Sequence, residues 1–332
     1  MFSDSIILVT GGTGSFGNKF VPMTLEKFNP KKLIIFSRDE MKQWEMARKF
    51  ESDSRIRFFI GDVRDKDRLH RALQGVDYVI HAAATKIVPT AEYNPFECIK
   101  TNVIGAMNLI DASIDQKVKK VVALSTDKAS SPINLYGATK LASDKLFSAA
   151  NNLTGPQDLC LSVVRYGNVM GSRGSVIPLF LKLKSSSFMP ITHPEMTRFM
   201  ITLEEGIDLV IEAFNNSIGG EIYVKKIPSM KVEEIASAIS PGTPHKIIGI
   251  RPGEKLHEKM CSANESHQIL EFKKFYLIQP SIIFTENKFN YKKNILNEVG
   301  KKVSENFEYT SENNSMFLNV EQIQELNKKL KF

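Results

Sequence analysis

The stretch Gly11-Gly-Thr-Gly-Ser-Phe-Gly17 constrains this chain more than any other. An apolar run at 5–10 precedes it and a helical pattern through Phe20, Val21 and Leu25 comes after, so it reads as strand, tight turn and helix. Gly11, Gly14 and Gly17 form a Gly-x-x-Gly-x-x-Gly triplet. With no side chains in the way, a pyrophosphate can approach the backbone amides at the helix N-terminus, where the helix dipole favours negative charge. A glycine triplet alone is weak, but its place between a strand and a helix predicts a dinucleotide site rather than a plain turn.

Residues 32–36 form the second predicted strand, and the residues just past a second strand in such a fold meet the adenosine ribose. An acidic residue there would bind both ribose hydroxyls. The order is instead Ser37-Arg38-Asp39, with Lys42 one turn on, and a hydroxyl with two cations suits a 2′-phosphate, which predicts NADP. Asp39 could also simply cap the next helix. A third strand at 57–60 is closed by Gly61-Asp-Val-Arg-Asp65, with Asp62 placed to accept from an adenine amino group. A fourth at 76–80 is closed by His81, read as a structural histidine, and by Ala82, Ala83 and Ala84, which leave room for a cofactor. A long helix at 93–114, a strand at 120–125, a helix at 135–150 and a strand at 161–166 continue the alternation. The fold class expected is therefore α/β, a Rossmann-type doubly wound parallel sheet with right-handed crossovers.

Beyond residue 170 the pattern changes, with Gly171-Ser-Arg-Gly-Ser175, serines at Ser185–Ser187 and several prolines. The expected division is a dinucleotide-binding domain over 1–170 and a smaller substrate-binding lobe from 171–198 and 227–332. Residues 199–226, with a helix at 204–214 and a strand at 220–224, return to the first domain.

Two constellations near the fifth strand carry acid-base chemistry. Tyr136 and Lys140 lie four apart, hence on one helix face, where the ammonium can lower the phenol's pKa and make a base for an alcohol proton. Thr126-Asp127-Lys128 places a carboxyl beside an amine at a strand's C-terminal edge, which suits elimination. Tyr-x-x-x-Lys by itself occurs by chance on many helices, so its meaning depends on the glycine turn before it.

The three cysteines, Cys98, Cys160 and Cys261, are widely spaced, so neither disulfides nor a metal site is expected and the compartment reads as reducing. No apolar run approaches the roughly 18 residues of a membrane span, and no leader-like segment precedes Ile6; the expected location is the cytoplasm, with no membrane partner. The formal charge of +7 is scattered, much of it on Lys292–Lys302 and Lys328–Lys331. Without a basic stripe interleaved with aromatics, nucleic acid is not an expected partner, whereas an anionic ligand held by a few placed arginines is.

The glycine turn, the Asp62 loop, Thr126-Asp-Lys-Ala, Tyr136-Gly-Ala-Thr-Lys140, Arg165-Tyr-Gly-Asn-Val169, Gly171-Ser-Arg-Gly-Ser175, Met196-Thr-Arg-Phe199 and Arg251-Pro-Gly-Glu-Lys-Leu-His-Glu258 span most of the chain. Together they resemble the extended short-chain dehydrogenase/reductases that act on nucleotide sugars. Within these they look most like the inverting UDP-N-acetylglucosamine 4,6-dehydratases that begin pseudaminic acid synthesis, which serves flagellin or surface glycans. Other dehydratases of the superfamily carry Thr-Asp-Glu, so Lys128 is the most specific mark.

The resemblance implies that Tyr136, helped by Lys140, deprotonates the C4 hydroxyl while NADP⁺ takes the hydride. Lys128 then removes the C5 proton, Asp127 protonates the leaving C6 hydroxyl, and Thr126 belongs to the same catalytic set. For Lys128 to be a base its pKa should be lowered, by desolvation and by cations such as Lys86. Cofactor contacts are implied for Gly11, Thr13, Gly14, Ser15, Phe16, Gly17, Ser37, Arg38, Lys42, Asp62, Val63, Ala82, Ala83, Lys86, Tyr136, Lys140 and Val169. UDP-sugar contacts are implied for Lys86, Thr126, Asn168, Arg173, Arg198, Arg251 and Glu254. A homo-oligomer is implied too, with a hexamer as one form. The chain departs from the family at Thr85-Lys86-Ile87-Val88-Pro89, where Leu-Lys-His-Val-Pro is usual, which leaves the C5 stereochemistry open; Met200 and Phe317 replace expected tryptophans. A retaining dehydratase, a UDP-sugar 4-epimerase and a non-catalytic NADP-binding regulator are the competing readings.

Overall fold

The structure is a computed structural model that describes residues 2–51, 53–154, 158–282 and 289–330; Lys331, last of the C-terminal lysines, lies outside them. Its centre is a large sheet. The first six strands are β1 (Ile6–Thr10), β2 (Lys32–Ser37), β3 (Ile56–Ile60), β4 (Tyr78–His81), β5 (Lys120–Thr126) and β6 (Cys160–Tyr166). They run parallel in the order β6-β5-β4-β1-β2-β3. This is the doubly wound order, with its switch point between β1 and β4. Val and Ile fill the inner strands because helices cover both faces of a parallel sheet, leaving no polar side for water; in β1, β2 and β6 nearly every residue is buried.

The helices between these strands are α1 (Ser15–Phe28), α2 (Glu40–Arg48), α3 (Lys66–Ala72), α4 (Val88–Tyr93), α5 (Pro95–Ile99), α6 (Gly105–Asp115) and α7 (Leu135–Ala149). The single helix expected at 93–114 is thus interrupted. Pro95 cannot continue a helix from α4, so the chain breaks at Asn94, and Lys100–Ile104 forms a wider π-turn between α5 and α6. That turn has a use: Asn102 accepts from Thr85 N at 2.8 Å and donates to Thr85 O at 2.9 Å, fixing the loop after β4.

Beyond β6, strand Ile222–Lys225 joins the sheet parallel to β6, and α-helix Leu203–Asn216 packs behind it with a complete capping box at Thr202 and Glu205. The boundary expected at residue 227 differs from the structure. Ile269–Glu271, Phe275–Ile278 and Lys301–Lys302 extend the main sheet as antiparallel strands instead of building the second lobe. A separate, methionine-rich cluster of Met170, Phe180, Met189, Met196, Met200, Met230 and Ile235 packs over the C-terminal edge of the sheet's middle strands. Among the described residues no helix is long and apolar enough to cross a membrane.

Candidate active site

Register sets the site. Thr10 pairs with Phe36 and His81, and Thr126 with Tyr166, so the C-terminal ends of β1, β2, β4, β5 and β6 finish along one edge. A cleft of about 780 Å³ opens there, and every residue given a catalytic, cofactor or sugar-binding role from the sequence lines it except Gly17. Gly17 sits beneath: a Cβ on it would lie 1.9 Å from Gly12 O, so it serves helix-to-strand packing. Gly11 has φ +64 and passes within van der Waals contact of Ala83, which excludes a side chain on two counts. The α1 N-terminus begins at Gly14 with no side-chain cap, and Asn18 holds the turn by donating to Thr13 O and Gly14 O. Its free amides face the cleft beside Ser15 and Phe16, as a pyrophosphate cradle requires.

At the adenosine end, Ser37 is buried with its hydroxyl 2.8 Å from that of Thr13. Asp39 is taken: it caps α2 by accepting from Lys42 N at 3.0 Å and pairs with the Lys42 ammonium. Arg38 is mostly exposed, 3.7 Å from Asp62. Asp62 also accepts from Arg64 Nη2 at 2.7 Å; burial opposes its ionisation, but the hydrogen bonds and charge of Arg64 prevail and hold it below the usual carboxylate range. His81 is structural: its Nδ1 meets Thr10 Oγ1 at 2.9 Å, and burial pushes its pKa down to about 3, so it stays neutral.

In the middle of the cleft, Thr126, Asp127 and Lys128 leave β5 in one tight turn. Asp127 is fully buried; its Oδ1 accepts from Thr126 Oγ1 at 2.9 Å and from Lys128 Nζ at 3.0 Å, while Oδ2 has no partner. Helix α7 begins opposite, capped by Asn134, which accepts from Gly137 N at 2.7 Å. It buries Tyr136 and Lys140 side by side, with Lys140 Nζ donating to Leu124 O at 2.7 Å.

Two electrostatic expectations are corrected. Lys140 does not lower the Tyr136 pKa: burial dominates and pushes the phenol up to about 12, with Lys128 and a hydrogen bond from Thr126 only partly opposing it. Lys128 is not lowered either. Burial pulls it down, but the carboxylates of Asp127 and Glu258 outweigh that and raise it above the ordinary lysine value. Lys86, the cation expected to help, has its Nζ on Arg173 O at 3.2 Å. Burial raises Asp127, with the Lys128 charge opposing.

At the far end, Asn168 Oδ1 and Ser175 Oγ are buried without partners and border the cleft, as ligand-binding groups awaiting a ligand would be. Arg173 reaches back, its N donating to Ser15 Oγ at 3.4 Å. Arg251 and Glu254 pair with each other. Arg198 lines the cleft but its guanidinium is occupied by the carbonyls of Thr197, Lys255 and Leu256. Glu258 closes the motif that begins at Arg251, but the sequence assigns it no role in the site: it is 2% exposed and its Oε1 is 3.0 Å from Lys128 Nζ. Among the described residues no group of three or more His, Cys, Asp or Glu could hold a metal ion.

Residues 7–280 match the family model described as polysaccharide biosynthesis protein. An inverting UDP-N-acetylglucosamine 4,6-dehydratase of Campylobacter jejuni is 54% identical over 328 residues, covering 98% of both chains. A UDP-glucose 4-epimerase of Rickettsia conorii is 42% identical, covering 98% of this chain and 96% of its own. Among solved structures, Pen from Bacillus thuringiensis superposes with a TM-score of 0.88 at 36% identity over 99% of each chain. The dTDP-glucose 4,6-dehydratase DesIV of Streptomyces venezuelae, solved with NAD bound, gives 0.67 at 25% identity over 75% of this chain and 86% of that one. The family model spans most of the chain and the Campylobacter relative matches nearly its whole length, so the chain belongs to the family of polysaccharide biosynthesis proteins that includes the inverting UDP-N-acetylglucosamine 4,6-dehydratases.

Proposed function

We propose that the protein is a UDP-N-acetylglucosamine 4,6-dehydratase, a lyase that inverts C5, and that its nicotinamide cofactor is NADP. The observation that carries this reading is the meeting, in one cleft, of the buried Asp127–Lys128 pair with Tyr136 and Lys140 beside a glycine cradle that a Cβ would fill. A bound nicotinamide dinucleotide supplies the one function no side chain here can, accepting a hydride from C4 and returning it at C6.

The chain's own residues handle protons and orientation. Tyr136, as the phenolate that the Lys128 charge and Thr126 hydrogen bond favour, takes the proton of the C4 hydroxyl, and the ketone so formed acidifies the C5 hydrogen. Lys128 removes that hydrogen as a proton. Asp127, whose carboxyl burial pushes above the usual range, gives its proton to the C6 hydroxyl, which leaves as water while the C5–C6 double bond forms. A proton then returns to C5 from the opposite face, giving the L-arabino 4-keto-6-deoxy sugar. Asn168, Arg173, Arg251 and Glu254 hold the UDP-sugar, with Arg198 stiffening the wall behind. Arg38 and Lys42 favour NADP over NAD because Asp39, the one acid at the end of β2, is held by its cap and ion pair. Such a product suits pseudaminic acid synthesis in the cytoplasm, and the exposed Tyr93 and Phe96 fit a homo-oligomer.

The Rickettsia relative supports a second reading, 4-epimerisation, in which no water leaves. Incubating the protein with UDP-N-acetylglucosamine and reading the product by NMR separates the two. A 6-methyl signal and a C4 ketone are expected; a C4 epimer with its C6 hydroxyl intact would overturn the dehydratase reading.

A further inference from the structure

Lys128 Nζ lies 3.0 Å from two carboxyl oxygens, Asp127 Oδ1 and Glu258 Oε1, and both acids are buried. Glu258 precedes strand Lys259–Cys261 and its backbone is pinned on both sides by Ser311, whose Oγ accepts from Glu258 N at 2.9 Å and whose N donates to Glu258 O at 2.8 Å. The second oxygen of each acid, Asp127 Oδ2 and Glu258 Oε2, has no hydrogen-bond partner. The other charges near by keep their distance. Arg198 Nε is 3.9 Å from Glu258 Oε1 and Lys255 Nζ 3.9 Å from Oε2, and both cations donate to backbone carbonyls instead. Tyr136 is a further titratable group that feels the Lys128 charge. Burying a third charged group against a catalytic pair is costly unless it serves the chemistry.

We propose that Glu258 is the proton acceptor for Lys128: it takes the ammonium proton across the 3.0 Å contact, so that Lys128 becomes a neutral amine able to remove the C5 hydrogen while Asp127 keeps its own proton. Glu258 acts through Lys128 and is a positioning residue, not one that meets the sugar. The inference rests on the assignment of water elimination to Asp127 and Lys128.

The resting trio is a neutral Asp127, an ammonium at Lys128 and a carboxylate at Glu258. Burial raises Asp127 toward its neutral form, the Glu258 carboxylate at 3.0 Å keeps Lys128 charged, and Lys128 and Arg198 overcome burial to lower Glu258. Moving one proton from Nζ to Oε1 leaves three neutral groups and changes neither the net charge nor the proton count. The amine then takes the C5 proton, the C5–H electrons form the C5–C6 double bond, and the C6–O bond breaks as Asp127 protonates the departing hydroxyl. The trio is left as an Asp127 carboxylate, a Lys128 ammonium and a protonated Glu258. Lys128 resets it by passing one proton to Asp127 Oδ1 and taking one from Glu258 Oε1.

Because the active and resting forms carry the same number of protons, elimination in the wild type is expected to be flat between about pH 6 and 9. In Glu258→Gln the amide can still accept a hydrogen bond from Lys128 but cannot take its proton, so the amine must release it to solvent. Elimination should then fall about 10²–10⁴-fold at neutral pH, the usual worth of a proton-transfer group, and climb with pH toward tenfold per unit. Quenched single turnovers of holoenzyme, with water loss read by mass spectrometry, measure that step, and C4 oxidation is followed by NADPH absorbance on the same samples. A Glu258→Gln enzyme with a flat profile, at any rate, would overturn the proposal, as would parallel loss of oxidation and elimination. Glu258→Asp, which restores a carboxylate, should recover the flat profile. Should Glu258→Gln not fold, the wild type decides: a tenfold-per-unit slope across the same range overturns the idea. Lys128→Ala serves as the control, since continued water loss there would refute the underlying elimination assignment and not the role of Glu258 alone.

Discussion

At the end of β2 the Asp39 carboxylate is taken by its cap and by Lys42, beside the buried Ser37 hydroxyl and the exposed Arg38 guanidinium. Arg38→Ala is expected to weaken NADP binding by about 1–3 kcal/mol, the scale of a hydrogen bond to a charged group, and NAD binding much less. Calorimetric titration of both nucleotides measures the difference, and an equal loss for the two would refute selectivity for the 2′-phosphate. In the catalytic centre, Lys128→Ala and Asp127→Asn should still oxidise C4 and accumulate NADPH absorbance, whereas Tyr136→Phe should not; NADPH accumulating in Tyr136→Phe would mean the roles are misassigned. The residue types at these positions are legible in the sequence because their chemistry is local: Tyr136 and Lys140 share a helix face whatever surrounds them. Their protonation is not. Beside Asp127, a second carboxylate that raises Lys128 arrives with Glu258, far along the chain, and the burial that raises Tyr136 comes with its packing against Ala91 and Cys98 of α4 and α5, which no spacing reveals.

Helix α7 shows how an element serves a site. Glu92 accepts from Leu135 N at 2.6 Å and Asn134 caps the first turn, so the helix starts where Tyr136 must face β5. Gly137 allows the approach, since a Cβ there would lie 2.3 Å from Lys128 O. In an open helix Gly→Ala stabilises by about 1 kcal/mol; here overpacking should reverse the sign, and Gly137→Ala is expected to destabilise by about 1–3 kcal/mol and to slow elimination by pushing the 127–129 turn away from Tyr136. Chemical denaturation and a turnover assay check this, and a stabilised, fully active variant would contradict it. The elements themselves are legible where apolar period and length agree, as in β1, β5 and α7, each found within a residue or so of its expected limits. Reading fails where short-range signals compete. The apolar positions of 93–114 hide the break at Asn94 and Pro95, and Ile269–Glu271 and Lys301–Lys302 are too short to announce that they pair with the main sheet.

On the scale of the whole molecule, the doubly wound order brings five strand ends to one edge, and the chain beyond β6 then lies across it. Gly171 and Gly174, both at positive φ, let residues 171–175 cross the cleft, where Arg173 touches Ser15 of the glycine turn on one side and Lys86 of the loop after β4 on the other. This strap links the cofactor end of the cleft to the sugar end. Thr85 and Ile87, the two departures from the usual family sequence, flank Lys86 in that loop; Thr85 is clamped through its backbone by Asn102, and Ile87 is exposed at the cleft wall. The backbone of the altered loop is therefore fixed independently of its side chains, which argues that the faces of proton removal and return are unchanged. With substrate deuterated at C4, the label should appear in the C6 methyl without dilution, because a carbon-bound hydride on the nicotinamide does not exchange with water as long as the cofactor stays bound. In D₂O the product should carry solvent deuterium at C5 and show NMR ring couplings of the L-arabino configuration. Dilution of the C4 label on adding unlabelled NADPH would mean that the reduced cofactor leaves between the two hydride transfers. Couplings of the D-xylo configuration would mean that the exposed Ile87 side chain, not the loop backbone, decides the face at which C5 is reprotonated, and would place the protein among retaining dehydratases.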